Sequence, residues 1–265
     1  MQIPGRRGSF FSPGVARLYA ESLDHEAVAL ISIAADATDR QYVDVGGGMT
    51  HGLRIYRLTL GLGLGGDLAR GCGTLIDALQ IAVDMADNLA DEELDQAHGR
   101  CYNGLYADIP ADCRPALPAL MVGAVVTALF RRFPPPRFDA PYAAERLMRV
   151  LGLMTTGQGR SRSDPLRIDH ISGEQGRLYA LPLWVSRDGS ERHDALLEVV
   201  ETWGFEFGRT WQLQREVIET TNEPHWTTEL ERAEQRAMKA WPGFPPFTDE
   251  GLFSKARMRL GGSGG

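Results

Sequence analysis

The chain has 265 residues, of which 43% are hydrophobic and 24% are charged, a composition typical of a globular protein with a sizeable core. Its formal net charge of −7 argues against a nucleic-acid-binding surface, which is usually basic. The three cysteines lack metal-ligand spacing, and the sequence shows neither a signal-peptide core nor an apolar run long enough to cross a bilayer. We therefore expect a cytoplasmic protein with no membrane span.

Helical periodicity dominates the sequence, and no segment alternates persuasively as a strand. Glycines at 46–48 and at 61, 63, 65 and 66 interrupt the chain before the second predicted helix, and three prolines at 134–136 end the third. The pattern predicts a single all-α domain over residues 1–260 and a flexible Gly/Ser tail at 261–265. The predicted helices span residues 15–35, 72–93, 117–133, 141–156, 173–185 (disturbed by Pro182), 192–221 and 227–241.

The second predicted helix carries a row of aspartates. Asp84, Asp87 and Asp91 stand at positions i, i+3 and i+7, so an α-helix places all three on one face. Like charges at this spacing repel one another, so the row does not stabilise a helix unless something cationic neutralises it.

The long helix near the C-terminus repeats this geometry with Glu216, Glu219 and Glu223. Each row also follows a glutamine by four residues, Gln80 in the first case and Gln212 in the second. Two such helices facing each other across a cavity would form an oxygen-lined site for Mg²⁺ carrying a polyphosphate. The alternative is that both rows are solvated helix faces.

The order of these motifs resembles that of the trans-isoprenyl diphosphate synthases, which carry two aspartate-rich motifs on facing helices. Residues 87–91 resemble the first motif, Asp-Asp-x-x-Asp, with asparagine in its second place, and residues 211–219 resemble the second, Phe-Gln-Ile-x-Asp-Asp-x-x-Asp. The resemblance implies an all-α bundle of the isoprenoid synthase type around a central cavity. Weaker matches are His98-Gly99-Arg100 at the family's Arg-Arg-Gly, Gly157-Gln158 at its Gly-Gln, and Gly176-Arg177 at its Lys-Thr.

The resemblance also implies Mg²⁺ as the cofactor, an allylic prenyl diphosphate as the substrate and a homodimer as the assembly. The implied metal ligands are Asp84, Asp87, Asp91, Glu216 and Glu219; the implied diphosphate-binding residues are Arg100, Arg177, Gln158 and Gln212; and the implied catalytic residues are Asp87, Asp91 and Arg215. The alternative role of each arginine is a surface ion pair, and the alternative role of each glutamine is a helix–helix hydrogen bond.

Departures from the family pattern concern the second diphosphate and the second motif. The family's upstream segment, Gly-Gly-Lys-Arg-x-Arg-Pro, is replaced by Gly-Gly-Met-Thr-His-Gly-Leu at residues 47–53, which leaves Arg54 as a possible substitute for the missing cations. Arg215 stands where the second motif has its first aspartate. Its charge either takes the place of one metal ion or marks a metal site that has decayed.

Three functions follow from these matches and departures. The first is a terpene synthase-like enzyme that ionises one allylic diphosphate and cyclises or rearranges the cation. The second is a prenyltransferase that elongates a chain or alkylates an unusual acceptor. In this case Arg54 and Arg177 replace the missing cations that would bind the second diphosphate. The third is a non-catalytic partner subunit of an active prenyl synthase.

Four aromatic residues near the second row either line an apolar pocket or pack in the core: Trp203, Phe205, Phe207 and Trp211.

Overall fold

The computed structural model describes residues 51–97, 116–160, 164, 166–219 and 224–241. Every regular element in these ranges is helical, which confirms the predicted all-α class. The elements are α1 (His51–Gly61), α2 (Gly66–Ala97), α3 (Leu117–Arg132), α4 (Ala140–Gln158), α5 (Leu166–Ile168), a π-helical turn (Asp169–Gly173), α6 (Glu174–Arg177), a 3₁₀ turn (Leu178–Ala180), α7 (Leu181–Val185), α8 (Glu191–Glu219) and α9 (Pro224–Ala240).

The chain divides into two compact units, Met1–Arg132 and Phe133–Gly265. The prediction of one domain over residues 1–260 stays a prediction, as does the flexible tail at 261–265, which lies outside the described residues. None of the described helices combines the length and the apolar character that a bilayer crossing requires.

In the first unit, α1 packs against α2 and α2 packs against α3. The α1–α2 contact is close because glycines meet: a Cβ atom on Gly73 would lie 2.7 Å from the carbonyl oxygen of Gly52, and a Cβ on Gly52 would overlap the Gly73 carbonyl. The turn between these helices uses two glycines at positive φ, Gly63 and Gly65, a conformation that other residues rarely adopt. The core of this unit is formed by Ile55, Leu58, Leu68, Cys72, Leu75, Ile76, Leu79, Val125 and Leu129.

In the second unit, α4 begins after Asp139, whose side chain caps the helix by accepting a hydrogen bond from the Tyr142 backbone N–H at 3.1 Å. Residues 166–185 form a run of short helical segments, which we call the segmented helix. It packs against α4 and α8, and α9 packs along α8. The α8–α9 contact buries Leu213, Leu230 and Ala233 in one apolar cluster that also includes Ile168.

Glycines allow the segmented helix to contact the backbone of α8 directly. A Cβ atom on Gly204 would overlap the Gly176 carbonyl oxygen, and one on Gly208 would overlap the carbonyl oxygen of Ser172 in the π-helical turn. Gly157 serves a similar purpose on α4, since its Cβ would lie 2.7 Å from Cγ1 of Ile171. These three glycines therefore lie where helical segments pack backbone to backbone or side chain to backbone.

Most predicted helices agree with the observed ones within a few residues. Three differ: α1 lies in a stretch that its glycines predict to be interrupted, the second predicted helix extends further at both ends, from Gly66 to Ala97, and the helix predicted at 173–185 is a run of short segments that begins at Leu166. Packing explains the first, because the Gly52–Gly73 contact makes α1 a partner of α2 and overrides the low helix propensity of glycine. The predicted helix at 15–35 lies outside the described residues.

Candidate functional site

The aspartate row lies within α2, in the first unit. Asp84, Asp87 and Asp91 all fall in the C-terminal half of this helix, so the row lies on a helix as the sequence predicts. Their side chains lie outside the described part of the structure, so their role as metal ligands stays a prediction. Arg100 also lies outside the described residues.

The glutamate row lies at the C-terminal end of α8, in the second unit, and here the structure brings two predicted residues together. The amide nitrogen Nε2 of Gln212 donates a hydrogen bond to Oε1 of Glu216 at 2.9 Å. Both side chains are half-buried. Gln212 thereby orients a carboxylate one helical turn further along α8. Arg215 and Glu219 lie on the same helix, with side chains outside the described set, and Glu223 lies beyond the described part of α8.

Arg177, the last residue of α6, lies against an earlier part of α8. Its Nε donates to Oε1 of Glu174 at 3.2 Å, its Nη1 lies 3.9 Å from Oε2 of Glu201, and its guanidinium carbon lies 4.6 Å from the ring centre of Phe205. Phe205 precedes Glu216 by eleven residues, which is roughly 16 Å along a helix axis. The structure therefore does not bring Arg177 to the glutamate row, although Phe205, Gln212 and Glu216 share one face of α8.

Glu201 connects three elements through a single carboxylate. Its Oε1 accepts hydrogen bonds from Nη2 of Arg146 on α4, at 2.6 Å, and from the indole nitrogen of Trp184 on α7, at 2.7 Å. Its Oε2 faces Arg177. Sequence reasoning missed this residue, and no spacing rule would have found it, because its partners are distant in the chain. Glu174 stands three residues before Arg177 and is visible as a helical i, i+3 pair.

A second ionic cluster lies between the π-helical turn, α8 and α9. Nε of Arg209 lies 2.6 Å from Oδ1 of Asp169, and its Nη1 donates to Oε2 of Glu206 at 3.0 Å. Glu206, which is buried, also accepts from Nε of Arg236 at 2.8 Å. These carboxylates are matched by cations, so the cluster holds helices together and offers no uncompensated negative charge to a metal ion.

Gln158 is the last residue of α4, and its side chain is exposed there. The structure does not bring it to Gln212 or Glu216 by any contact among the described residues. The adjacent Gly157 is explained by its close approach to Ile171 in the π-helical turn.

Arg54 lies on α1 with a side chain that is only 3% exposed. Two residues earlier on α1, the backbone N–H of Gly52 donates a hydrogen bond to the buried carboxylate of Asp77 on α2 at 2.8 Å. His51 stands at the start of the same helix, and burial, together with the charge of Arg54, lowers the pKa of its imidazole to about 3. Of the residues that replace the family's cationic segment, Gly52 therefore lies against α2, while residues 47–50 lie outside the described part of the chain.

The four aromatic residues of α8 divide between two faces. Trp203 and Phe207 are buried, and Trp203 stacks on Phe207 with 5.1 Å between ring centres. Tyr179 contacts both rings edge-on, at 5.6 and 5.5 Å. This cluster agrees with the core-packing interpretation, whereas Phe205 lies on the face of the glutamate row beneath Arg177. Trp211 is half-buried.

A metal ion would need several ligands from different elements. Among the described side chains, no group of three His, Cys, Asp or Glu residues converges as a metal site. Glu216, with a carboxylate oriented by Gln212, has the hard oxygen ligands that Mg²⁺ prefers.

The structure is similar to that of the geranylgeranyl pyrophosphate synthetase from the archaeon Geoglobus acetivorans. The TM-score is 0.55 and the sequence identity is 13%, over 92% of this chain and 95% of that one. No family model matches the sequence, and no curated protein matches it either. The structural likeness establishes the fold, which is the all-α fold of the isoprenoid synthases.

Proposed function

We propose that the protein is an Mg²⁺-dependent enzyme that ionises an allylic isoprenoid diphosphate and then cyclises or rearranges the carbocation. The fold supports isoprenoid diphosphate chemistry, because the similar protein is a geranylgeranyl pyrophosphate synthetase. Two acidic rows in helices α2 and α8 supply carboxylates of the kind that hold Mg²⁺ in such sites.

The observation that favours ionisation of one substrate over chain elongation is the burial of Arg54. Elongation needs cations for a second diphosphate, and Arg54 was the remaining candidate in the segment that replaces the family's lysine and arginines. With 3% of its surface exposed, this side chain is buried. A diphosphate could reach it only if the surrounding residues moved, at the cost of buried contacts.

The chain's own residues have separate roles in the proposed reaction. Gln212 orients Glu216, while Arg100, Arg177 and Arg215 are the proposed hydrogen-bond donors to the diphosphate. When bound, Mg²⁺ would stabilise the negative charge that develops as the carbon–oxygen bond breaks. An apolar wall must then keep water from the cation, and aromatic faces such as Phe205 stabilise positive charge. A homodimer, as the resemblance implies, is part of this proposal.

A second candidate, a prenyltransferase, is favoured by the activity named for the similar structure. The test is to incubate the purified chain with Mg²⁺ and geranyl, farnesyl or geranylgeranyl diphosphate, with and without isopentenyl diphosphate. We expect diphosphate release and cyclised or rearranged products without isopentenyl diphosphate. Products longer by five carbons, formed only with it, would favour the prenyltransferase. Release from none of the substrates would refute both enzymatic proposals and favour the partner-subunit role.

Substitution of the aspartate row tests the site itself. We expect Asp87→Ala or Asp91→Ala to lower turnover by about 100-fold or more, because loss of a metal ligand removes several kcal/mol of transition-state stabilisation. The measurement is the steady-state rate of diphosphate release. Glu145→Ala, which removes an exposed carboxylate from α4, is the control and should leave the rate unchanged. An unaltered rate in Asp87→Ala would contradict the assignment.

A further inference from the structure

Arg177 is held from two sides before any substrate arrives. Glu174 contacts its Nε, Glu201 faces its Nη1, and the ring of Phe205 lies beneath the plane of the guanidinium. An arginine side chain has several rotatable bonds, so a free one would lose much conformational freedom on binding a diphosphate. Here that freedom is already restricted by the fold.

The second of these carboxylates is itself immobilised. Glu201 uses one oxygen, Oε1, for both Arg146 and Trp184, which leaves Oε2 directed at Arg177. Arg146 also lies over the ring of Trp184, with its guanidinium carbon 5.6 Å from the ring centre. Because α4, α7 and α8 each contribute one of these groups, the direction of Oε2 is fixed by tertiary packing.

The charges of this cluster are balanced, and Arg177 is more exposed than the two carboxylates that face it. Two carboxylates face two guanidinium groups, and the side chains of Glu174 and Glu201 are 12% and 14% exposed, while that of Arg177 is 27% exposed. Within the described residues, the ion-pair contacts of Arg177 use Nε and Nη1 and leave Nη2 outside them. Nη2 is therefore the guanidinium nitrogen whose N–H groups these ion pairs leave for a ligand.

We propose that Glu174 and Glu201 are positioning residues that fix the Arg177 guanidinium so that Nη2 is left to donate to the substrate diphosphate. This inference rests on the proposed function, in which Arg177 is a diphosphate donor. It also explains an arginine at the family's lysine position: a planar guanidinium can be held through two of its nitrogens while the third donates to a ligand.

The test is a double-mutant cycle on diphosphate release. Glu174→Gln and Glu201→Gln each keep the size of the side chain but remove the charge that orients Arg177. We expect each to lower kcat/KM by about tenfold, a typical effect of losing a partner that orients a functional group. In an Arg177→Ala background the same substitutions should have no further effect, because nothing remains to be positioned.

Glu174→Gln is the sharper variant, since Arg177 is its only side-chain partner among the described residues. Glu201→Gln also weakens the Arg146 and Trp184 contacts, so its unfolding temperature must be measured in parallel. Glu206→Gln is the matched control. Like Glu201, Glu206 is a carboxylate on α8, but it contacts Arg209 and Arg236 instead of Arg177. We expect it to lower stability and to leave kcat/KM unchanged.

Calorimetric binding of inorganic pyrophosphate with Mg²⁺ separates this inference from the proposed reaction. If the unmodified protein binds pyrophosphate but does not release diphosphate from prenyl substrates, the proposed function fails. The same double-mutant cycle is then measured on the affinity for pyrophosphate. Binding weakened by Glu174→Gln only when Arg177 is present would support positioning. Equal losses in both backgrounds, an unchanged or increased affinity, or no pyrophosphate binding by the unmodified protein would overturn it.

Discussion

His51 and Arg54 lie one turn apart at the start of α1, and the guanidinium makes it costly to charge the imidazole. Burial is the larger cause, and together they lower the pKa of His51 to about 3 from its ordinary value of 6.5. Folding therefore favours the neutral imidazole, whereas the unfolded chain takes up a proton below pH 6.5. The stabilisation from this residue is complete above pH 6.5 and is lost as the pH falls from 6.5 towards 3.

This linkage predicts the acid sensitivity of the fold. Between pH 6.5 and 4, His51 should lower the free energy of unfolding by less than about 1.4 kcal/mol per pH unit, because the half-buried ring keeps some solvent screening. Urea denaturation across this range measures the slope. Asp164 and Asp188 also have lowered pKa values, but their effect begins only below their ordinary value of 3.8.

His51→Gln removes the titrating group and should flatten the dependence. His225→Gln, at an exposed histidine near the start of α9, should leave it unchanged. A slope that is equally steep in the wild-type protein and in His51→Gln would contradict the assignment.

At the scale of elements, α8 organises the second unit by presenting different chemistry on different faces. One face carries Trp203 and Phe207 in the aromatic core. The face that bears the glutamate row is covered by the segmented helix as far as Gly208, and the row begins beyond that contact. The close crossing requires glycine in α8, because the Ser172 and Gly176 carbonyls occupy the space of a side chain.

This crossing predicts opposite effects of alanine at two helical glycines. Gly208→Ala should destabilise the protein by about 2–3 kcal/mol or more, because the new Cβ overlaps a backbone carbonyl that has no room to move. Gly152→Ala, on the exposed side of α4 where a Cβ would meet nothing within 4 Å, should stabilise it by about 0.5–1 kcal/mol. Thermal and urea unfolding measure both, and a neutral Gly208→Ala would show that the crossing is looser than described.

For the molecule as a whole, the sequence was sufficient for the helical class and for most helix positions. Apolar periodicity, the proline stop at 134–136 and the glycine turn before α2 are local signals, and each was confirmed. The local part of the site was also predictable: Gln212 and Glu216 are four residues apart on one helix, and they are hydrogen-bonded.

Contacts between distant residues were not predictable in this way. The resemblance predicts a diphosphate role for Arg177, but it does not predict that this side chain contacts Glu201 and Phe205. Glu201 lies 24 residues further along the chain, and its pairing depends on how α8 crosses the segmented helix. The burial of Arg54 likewise depends on tertiary packing, which sequence periodicity does not encode.

Binding of a metal–pyrophosphate complex by the acidic rows is the central claim, and calorimetry of Mg²⁺ with inorganic pyrophosphate tests it most directly. The protein would be compared with Asp87→Ala, with Glu216→Gln and with the control Glu145→Ala. We expect Asp87→Ala and Glu216→Gln each to weaken binding by about tenfold or more, because each removes a proposed metal ligand, and Glu145→Ala to leave it unchanged. Wild-type affinity in both Asp87→Ala and Glu216→Gln would contradict the claim.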